Sequence, residues 1–292
     1  MWWSRSANRV PDWRRVSWWL GLLLAGTGWP AAPGPLRAQA ARDVILATTT
    51  STQDTGLLDA LVPGFERQCG CRVKVIAVGT GQALALGARG EADVVLVHAP
   101  ELEKRYLAEG AFRNRRLVMS NDFVLVGPPD DPIALRQAGT LGDAMRRLGE
   151  GRAIFVSRGD SSGTHLLELR LWREAGVTPA GTWYLQAGQG MGATLRIASE
   201  KGGYTLTDRG TFLALRAGLR LAVLFQDAPA LLNVYHVMEV NPDRHPRVHA
   251  EGGRAFAEYL VSPEVQERIA SFGTERFGQP LFRPRAGEPE PE

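Results

Sequence analysis

The sequence is poor in the residues that build metal centres and disulfide scaffolds. Its 292 residues include two cysteines and five histidines. Cys69 and Cys71 stand either side of one glycine. Two cysteines alone do not make a zinc site. They can pair with each other in an oxidising compartment, as a local structural feature. The histidines are scattered, which argues against a metal centre. No apolar run reaches the length of roughly 20 residues that crosses a bilayer. No internal repeat occurs, and the one biased tract is the Pro/Glu-rich tail, predicted to be disordered.

The mature chain also lacks a charge excess. The whole chain holds 34 Lys+Arg and 31 Asp+Glu. Residues 1–40 hold five Arg and one Asp, which leaves 29 basic and 30 acidic side chains. A net charge of −1 with neutral histidine gives no reason to expect nucleic acid or an anionic membrane as partner. Residues 1–40 themselves have the order of a secretory signal. Arg5, Arg9, Arg14 and Arg15 precede a short apolar run at 16–26, and Ala38-Gln39-Ala40 follows as a small-residue cleavage site. No cysteine follows the run closely, so a lipid anchor is not expected. The Arg14-Arg15 pair fits twin-arginine export poorly.

The remaining 252 residues alternate strand-like and helix-like segments, the pattern of a mostly parallel sheet covered by helices. Strands are expected at 44–47, 72–78, 92–97, 123–126, 153–156, 204–206 and 221–225. Helices are expected at 55–68, 81–89, 101–109, 166–175, 191–201, 211–217, 254–260 and 263–272. Gly127-Pro128-Pro129-Asp130-Asp131-Pro132 breaks the alternation and marks a first crossing between two lobes. The β-rich run 233–240 reads as the return. The predicted organisation is a signal peptide at 1–40, a first lobe at 41–126, a second lobe at 127–236, a return to the first lobe at 237–285 and a disordered tail at 286–292.

Several strand-to-helix turns are rich in hydrogen-bond donors. Such turns gather free backbone N–H groups and a helix N-terminus, the physical basis of anion binding. Arg158-Gly159-Asp160-Ser161-Ser162-Gly163-Thr164-His165 adds a guanidinium whose planar fork suits an oxyanion. Its other reading is a tight turn with Asp160 or Ser162 capping the helix and Arg158 in a surface ion pair. Thr48-Thr49-Thr50-Ser51-Thr52 places five hydroxyls where a strand stops; they can bind a ligand or merely cap a helix. Val78-Gly79-Thr80-Gly81-Gln82 and Gly188-Gln189-Gly190-Met191-Gly192 are two further flexible turns; they can let a ligand approach the backbone closely or be ordinary strand-to-helix turns, the simpler reading of each taken alone.

One enzymatic alternative exists. Gly159-Asp160-Ser161-Ser162-Gly163 matches the G-x-S-x-G elbow of α/β-hydrolases, with Ser161 as nucleophile. Partners would be Asp208 or Asp227 with His236, His245 or His249. No Gly-rich oxyanion segment accompanies it, and the reading leaves Thr48–Thr52 unexplained. A binding protein is the preferred reading.

The motifs together resemble a family. The segment Thr-Thr-Thr-Ser-Thr-Gln-Asp-Thr-Gly-Leu-Leu at 48–58, Val75-Ile76-Ala77-Val78-Gly79-Thr80-Gly81, the 157–165 turn, Tyr204-Thr205-Leu206-Thr207-Asp208-Arg209-Gly210-Thr211 and Asn233-Val234-Tyr235 are similar to those of periplasmic tungstate-binding proteins of ABC importers. The resemblance covers about 43–282. It implies an α/β, two-lobed periplasmic-binding-protein fold with two crossing strands and a ligand cleft between the lobes. It implies a periplasmic monomer without cofactor that delivers tungstate to a membrane permease. Carried over residue by residue, the ligand set is Thr49, Thr50, Ser51, Thr80, Gly81, Arg158, Ser162, Gly163, Thr164, Met191 and Gly192. Molybdate is nearly the same size. The Arg158–Thr164 turn also resembles the loop of periplasmic phosphate receptors, where the aspartate accepts the proton of hydrogen phosphate. Cys69-Gly70-Cys71, where a typical member has ordinary residues before the second strand, departs from the family pattern, far from these turns.

Overall fold

Two antiparallel neighbours, one of them sixteen residues long, organise the fold. A computed structural model describes residues 42–291; the predicted signal peptide lies outside them. The strands are β1 (Val44–Thr49), β2 (Val73–Val78), β3 (Val94–Val97), β4 (Phe112–Gly127), β5 (Phe155–Ser157), β6 (Tyr184–Gln186), β7 (Thr205–Asp208), β8 (Ala222–Phe225), β9 (Leu232–Val240) and β10 (Arg283–Pro284). The helices are α1 (Thr50–Asp54), α2 (Leu57–Cys69), α3 (Thr80–Ala88), α4 (Pro100–Ala108), α5 (Leu141–Glu150), α6 (Gly163–Glu174), α7 (Met191–Lys201), α8 (Arg209–Leu215), α9 (Ala250–Leu260), α10 (Pro263–Ser271) and α11 (Thr274–Phe277). Among the described residues no helix is long and apolar enough to cross a membrane.

The first lobe is a sheet in the order β10-β4-β9-β3-β1-β2. β4 pairs with β9 from Phe112 to Asp122, then takes β7 and β8 as partners from Phe123 to Gly127. The change of partner within one strand carries the chain into the second lobe, and β9 is the second strand at the junction. The two-lobed α/β fold with two crossing strands is therefore as expected, with three differences of detail. The crossing falls at Asp122/Phe123 rather than after residue 126, because β4 runs unbroken and the prolines at 128–132 come only after it has ended. The return strand begins at Leu232, which pairs with Asp122, one residue before the run 233–240 read as the return and ahead of the lobe boundary drawn at 237. The sheet is mixed: β1 is parallel to β2 and β3, while β4, β9 and β10 add antiparallel pairs.

Apolar spacing explains the layers. Leu57, Leu58, Leu61 and Phe65 recur on one face of α2, and all are buried with Val44, Leu46 and Phe256. In the second lobe, Met145 and Leu148 of α5 and Leu171 and Trp172 of α6 pack on Phe155 and Tyr204. Cys69 and Cys71 form a disulfide at the end of α2. The tail departs from its predicted disorder through residue 291. Arg285 N–H donates to Val118 O at 3.0 Å, and Glu290 accepts hydrogen bonds from Arg115 at 2.9 and 2.8 Å. A carboxylate reaching a half-enclosed guanidinium holds it in place.

Candidate functional site

The five hydroxyls at the end of β1 and the start of α1 divide into holders of the turn and one with no partner among the described residues. Thr48 Oγ1 donates to Leu96 O at 2.7 Å and ties β1 to β3. Thr49 caps α1, a short helix the sequence did not suggest; its Oγ1 accepts Thr52 N–H at 3.2 Å and meets Ser51 Oγ at 3.1 Å and Thr52 Oγ1 at 2.7 Å. Thr55 Oγ1 donates to Thr52 O at 2.8 Å. Thr50 Oγ1 is buried and has no partner among the described residues.

The turn after β5 is built on a buried arginine. Arg158 is 3% exposed, and its Nε and Nη2 donate to Asp160 Oδ2. Asp160 Oδ1 accepts Ser162 N–H at 3.1 Å. Burial alone would raise the Asp160 pKa, but the hydrogen bonds from Arg158 and Ser162 outweigh it and lower the value. Gly159 has φ +61°, and a Cβ there would lie 2.9 Å from Gln186 Cβ, so glycine is required. Ser161 also has a positive φ, 58°. Ser162 caps α6 by accepting His165 N–H at 3.3 Å. Thr164 Oγ1 is buried and, like Thr50 Oγ1, unpaired among the described residues.

The two lobes meet at these turns. Gly163 N–H donates to Thr80 Oγ1 at 3.3 Å, and a Cβ on Gly163 would lie 2.9 Å from His98 O. Gly79 faces Asp160, and Gly81 faces Ser161 O. Gly190 approaches the Thr50 hydroxyl, and Gly192 approaches the Asp54 carboxylate. Thr211 Oγ1 donates to Ser51 O at 3.3 Å. The structure thus brings together Thr49, Thr50, Ser51, Thr80, Gly81, Arg158, Ser162, Gly163, Thr164 and Gly192. Met191 joins through its backbone alone, because its side chain is fully buried in the core. The N-termini of α3, α6 and α7 meet here, each adding positive potential and free N–H groups. Such an enclosure suits an anion that needs donors only.

Four residues here were not singled out from sequence as site members. Asp54 reaches α7, and burial raises its pKa. His98 lies at the C-terminal end of β3, 3.3 Å from Ser51 Oγ; burial lowers its pKa to about 4 and keeps it neutral. Asn233 and Thr211 stand behind them. The position of His98, just past a parallel strand facing a cleft, is the signal that could have found it. An adjoining cavity of about 820 Å³ shares His98, Gly163 and Asn233 as walls but opens toward α4 and α6.

The histidines that a hydrolase would use lie elsewhere. His236 sits against Glu103, His245 Nε2 is 2.8 Å from Ala88 O, and His249 Nδ1 is 3.3 Å from Asp43 O. Ser161 meets His165 through its backbone N–H rather than its hydroxyl, at 3.0 Å. Among the described residues no group of three or more His, Cys, Asp and Glu could hold a metal ion.

The family model of the PBP superfamily domain matches residues 36–264. The tungstate-binding protein TupA of Peptoclostridium acidaminophilum is 46% identical over 273 residues, 91% of this chain and 96% of that one. The chain belongs to this tungstate-binding protein family, within the PBP superfamily. Solved structures of similar proteins agree. The tungstate ABC transporter protein from Geobacter sulfurreducens is 48% identical, with a TM-score of 0.73 over 79% of this chain and 98% of that one. The tungstate-binding protein TupA from Desulfovibrio alaskensis G20 is 40% identical, with a TM-score of 0.69 over 84% of this chain and all of that one.

Proposed function

We propose that this protein is the periplasmic solute-binding component of an ABC importer, capturing tungstate between its lobes and delivering it to the membrane permease. The observation that carries the proposal is a pair of buried hydroxyls, Thr50 Oγ1 and Thr164 Oγ1, unpaired among the described residues, one from each lobe, the second on the same turn as buried Arg158. An unpaired buried hydroxyl is costly unless a ligand supplies its partner. Tungstate is a tetrahedral dianion whose oxygens all accept hydrogen bonds and which, near neutral pH, has no proton to give. Charge-assisted hydrogen bonds are worth about 1.5–3 kcal/mol each. Five or six of them reach roughly 8–18 kcal/mol before ordering costs, which accommodates micromolar to nanomolar affinity. Thr49, Thr50, Ser51, Thr80 and Gly81 serve this site from the first lobe. Arg158, Ser162, Gly163, Thr164, Met191 and Gly192 serve it from the second.

Asp160 favours this ligand over hydrogen phosphate. Both of its oxygens already accept hydrogen bonds, from Arg158 and from Ser162 N–H. A carboxylate held ionised in this way orients the arginine. Export to the periplasm rests on the signal-like order of residues 1–40. Calorimetry of the mature protein against tungstate, molybdate, phosphate and sulfate tests the reading. Tungstate should bind with submicromolar affinity and phosphate poorly. Tight phosphate binding without tungstate binding would replace this reading with a phosphate receptor.

A further inference from the structure

A closed ring of hydrogen-bonded residues runs beneath the enclosure and through the hinge. Ser51 Oγ lies 3.3 Å from His98 Nε2, and His98 Nδ1 lies 3.0 Å from Asn233 Oδ1. Asn233 Nδ2 donates to Asn121 Oδ1 at 2.8 Å, and Asn121 Nδ2 donates to Asp208 Oδ1 at 3.4 Å. Asp208 Oδ1 accepts Thr211 N–H at 2.8 Å, and Thr211 Oγ1 returns to Ser51 O at 3.3 Å. All six residues are buried. They come from α1, the end of β3, β9, β4, β7 and α8. Asn121 and Asn233 are register partners on the crossing strands, within two residues of the point where β4 changes lobes.

The partners fix the direction of each proton. Asp208 Oδ1 already accepts Thr211 N–H, so Asn121 turns Nδ2 to it and Oδ1 to Asn233, and the Asn233 amide oxygen is the side that meets His98. His98 Nδ1 then carries the proton. The ring is neutral, so Nε2 is an acceptor and the Ser51 hydroxyl donates to it. The Ser51 hydroxyl proton is directed at His98, so Ser51 can serve the anion only through its backbone N–H, while Thr50 and Thr164 keep hydroxyls with no partner among the described residues.

We propose that this ring is a positioning network that couples the first-lobe ligand turn to the hinge, with His98, Asn233 and Asn121 as positioning residues that do not touch the anion. The proposal rests on the tungstate reading above. The physical reason is that a buried polar network is costly when partly satisfied. Rotation at the Asn121–Asn233 pair either carries the whole ring or breaks it. The placement of Ser51, and of Thr50 beside it, is thereby tied to lobe closure.

His98 supplies the test because its two nitrogens are separate links. His98→Asn can keep the donor to Asn233 and loses Ser51. His98→Gln can keep the contact with Ser51 and loses Asn233. Tungstate calorimetry, thermal melting and X-ray scattering are run on both variants and on wild type. Wild type lacking tungstate affinity would overturn the function reading, and the ring with it. With wild type binding, the ring requires both variants to lose at least tenfold in affinity and to contract less on saturation. His98→Gln matching wild type, with only His98→Asn impaired, reduces the role to a local Ser51 contact and overturns the ring. If either variant fails to fold, Thr211→Val removes a single hydroxyl from the other lobe's side of the ring. It should weaken tungstate binding roughly fivefold; unchanged affinity overturns the proposal.

Discussion

Arg115 and Arg158 both sit in enclosed polar clusters, in opposite electrostatic company. Arg115 on β4 donates to Glu103 at 2.9 Å and to both oxygens of Glu290 at 2.9 and 2.8 Å, and lies 3.1 Å from His236 Nδ1. Two carboxylates surround one guanidinium, and all its nitrogens are engaged. Burial works against that charge, but Glu290 and Glu103 outweigh it and raise the pKa. Arg158 has one carboxylate, Asp160, which takes Nε and Nη2. Its Nη1 has no hydrogen-bond partner among the described residues. Beside it are two unpaired hydroxyls and the starts of three helices. A buried arginine whose charge is fully matched holds structure together. One left with surplus donors among other donors is poised for an anion.

The sharpest test exchanges the two roles. Arg115→Met leaves Glu103, which is fully buried, without its cation. Breaking a buried pair in this way costs about 3–5 kcal/mol. Its melting temperature should drop steeply while tungstate affinity of the folded fraction is retained. Arg158→Lys should do the reverse, losing about 100-fold in affinity, roughly 2.7 kcal/mol, because a point ammonium cannot reproduce a planar fork. Melting curves and calorimetry on the same two proteins check both halves. Equal effects of both substitutions on both readouts would dissolve the distinction.

A third buried cation former, His98, has no carboxylate at all. Burial lowers its pKa from 6.5 to about 4. The unfolded chain therefore takes up the proton first as pH falls. The stability contributed by a neutral His98 is complete above pH 6.5, declines as pH drops toward 4 and then levels off. The loss is on the order of a few kcal/mol. Denaturant midpoints at pH 7 and 4.5 should differ less in His98→Gln than in wild type.

The contrast between the two arginines was only half legible in the sequence. Arg158 stands in a strand-turn-helix segment whose chemistry is local, so its neighbours in sequence are its neighbours in space. Arg113, Asn114, Arg115 and Arg116 do not alternate, and the first half of β4 was missed. Their partners are remote: Arg113 and Arg116 pair with Glu239, and Arg115 with Glu103 and Glu290. A bulge with Asn114 at φ 52° further hides the period. The threonine run shows the same limit at finer scale. Five hydroxyls look alike in sequence, and only packing tells that Thr48, Thr49 and Thr52 hold the turn while Thr50 is free.

That free hydroxyl and its counterpart give a smaller effect with opposite signs. Thr164→Val removes a buried group that has no partner in the protein. Replacing it with an isosteric methyl should leave the unliganded melting temperature unchanged or slightly raised. Tungstate affinity should fall about tenfold, close to 1.4 kcal/mol. Thr50→Val should behave alike. A destabilised Thr164→Val with wild-type affinity would mean that the hydroxyl serves the fold, and the comparison with Arg158 would lose its second member.

The smallest effect is expected at Asp160, where the two kinds of role overlap. Its carboxylate matches part of the Arg158 charge, as Glu103 and Glu290 match that of Arg115, yet it stands at the proposed anion site. An unprotonated carboxylate facing a dianion would repel it, the more so in low dielectric. Asp160 avoids this by turning both oxygens to Arg158 and Ser162 N–H. Asp160→Asn keeps the shape and one acceptor while removing a negative charge from the neighbourhood of the ligand. The lost support of Arg158 and the relieved repulsion oppose each other. Tungstate affinity should therefore stay within about tenfold of wild type, under roughly 1.4 kcal/mol. Stability carries the clearer signature. The folded pKa lies below the ordinary 3.8, so the contribution of the ionised group is complete above that pH and is lost as pH falls through the folded value. The melting-temperature gap between wild type and Asp160→Asn should be constant near neutrality and narrow below pH 3.8. A gap that widens in acid would mean that Asp160 is protonated in the folded protein, the state a hydrogen phosphate receptor would need to avoid and a tungstate receptor has no use for.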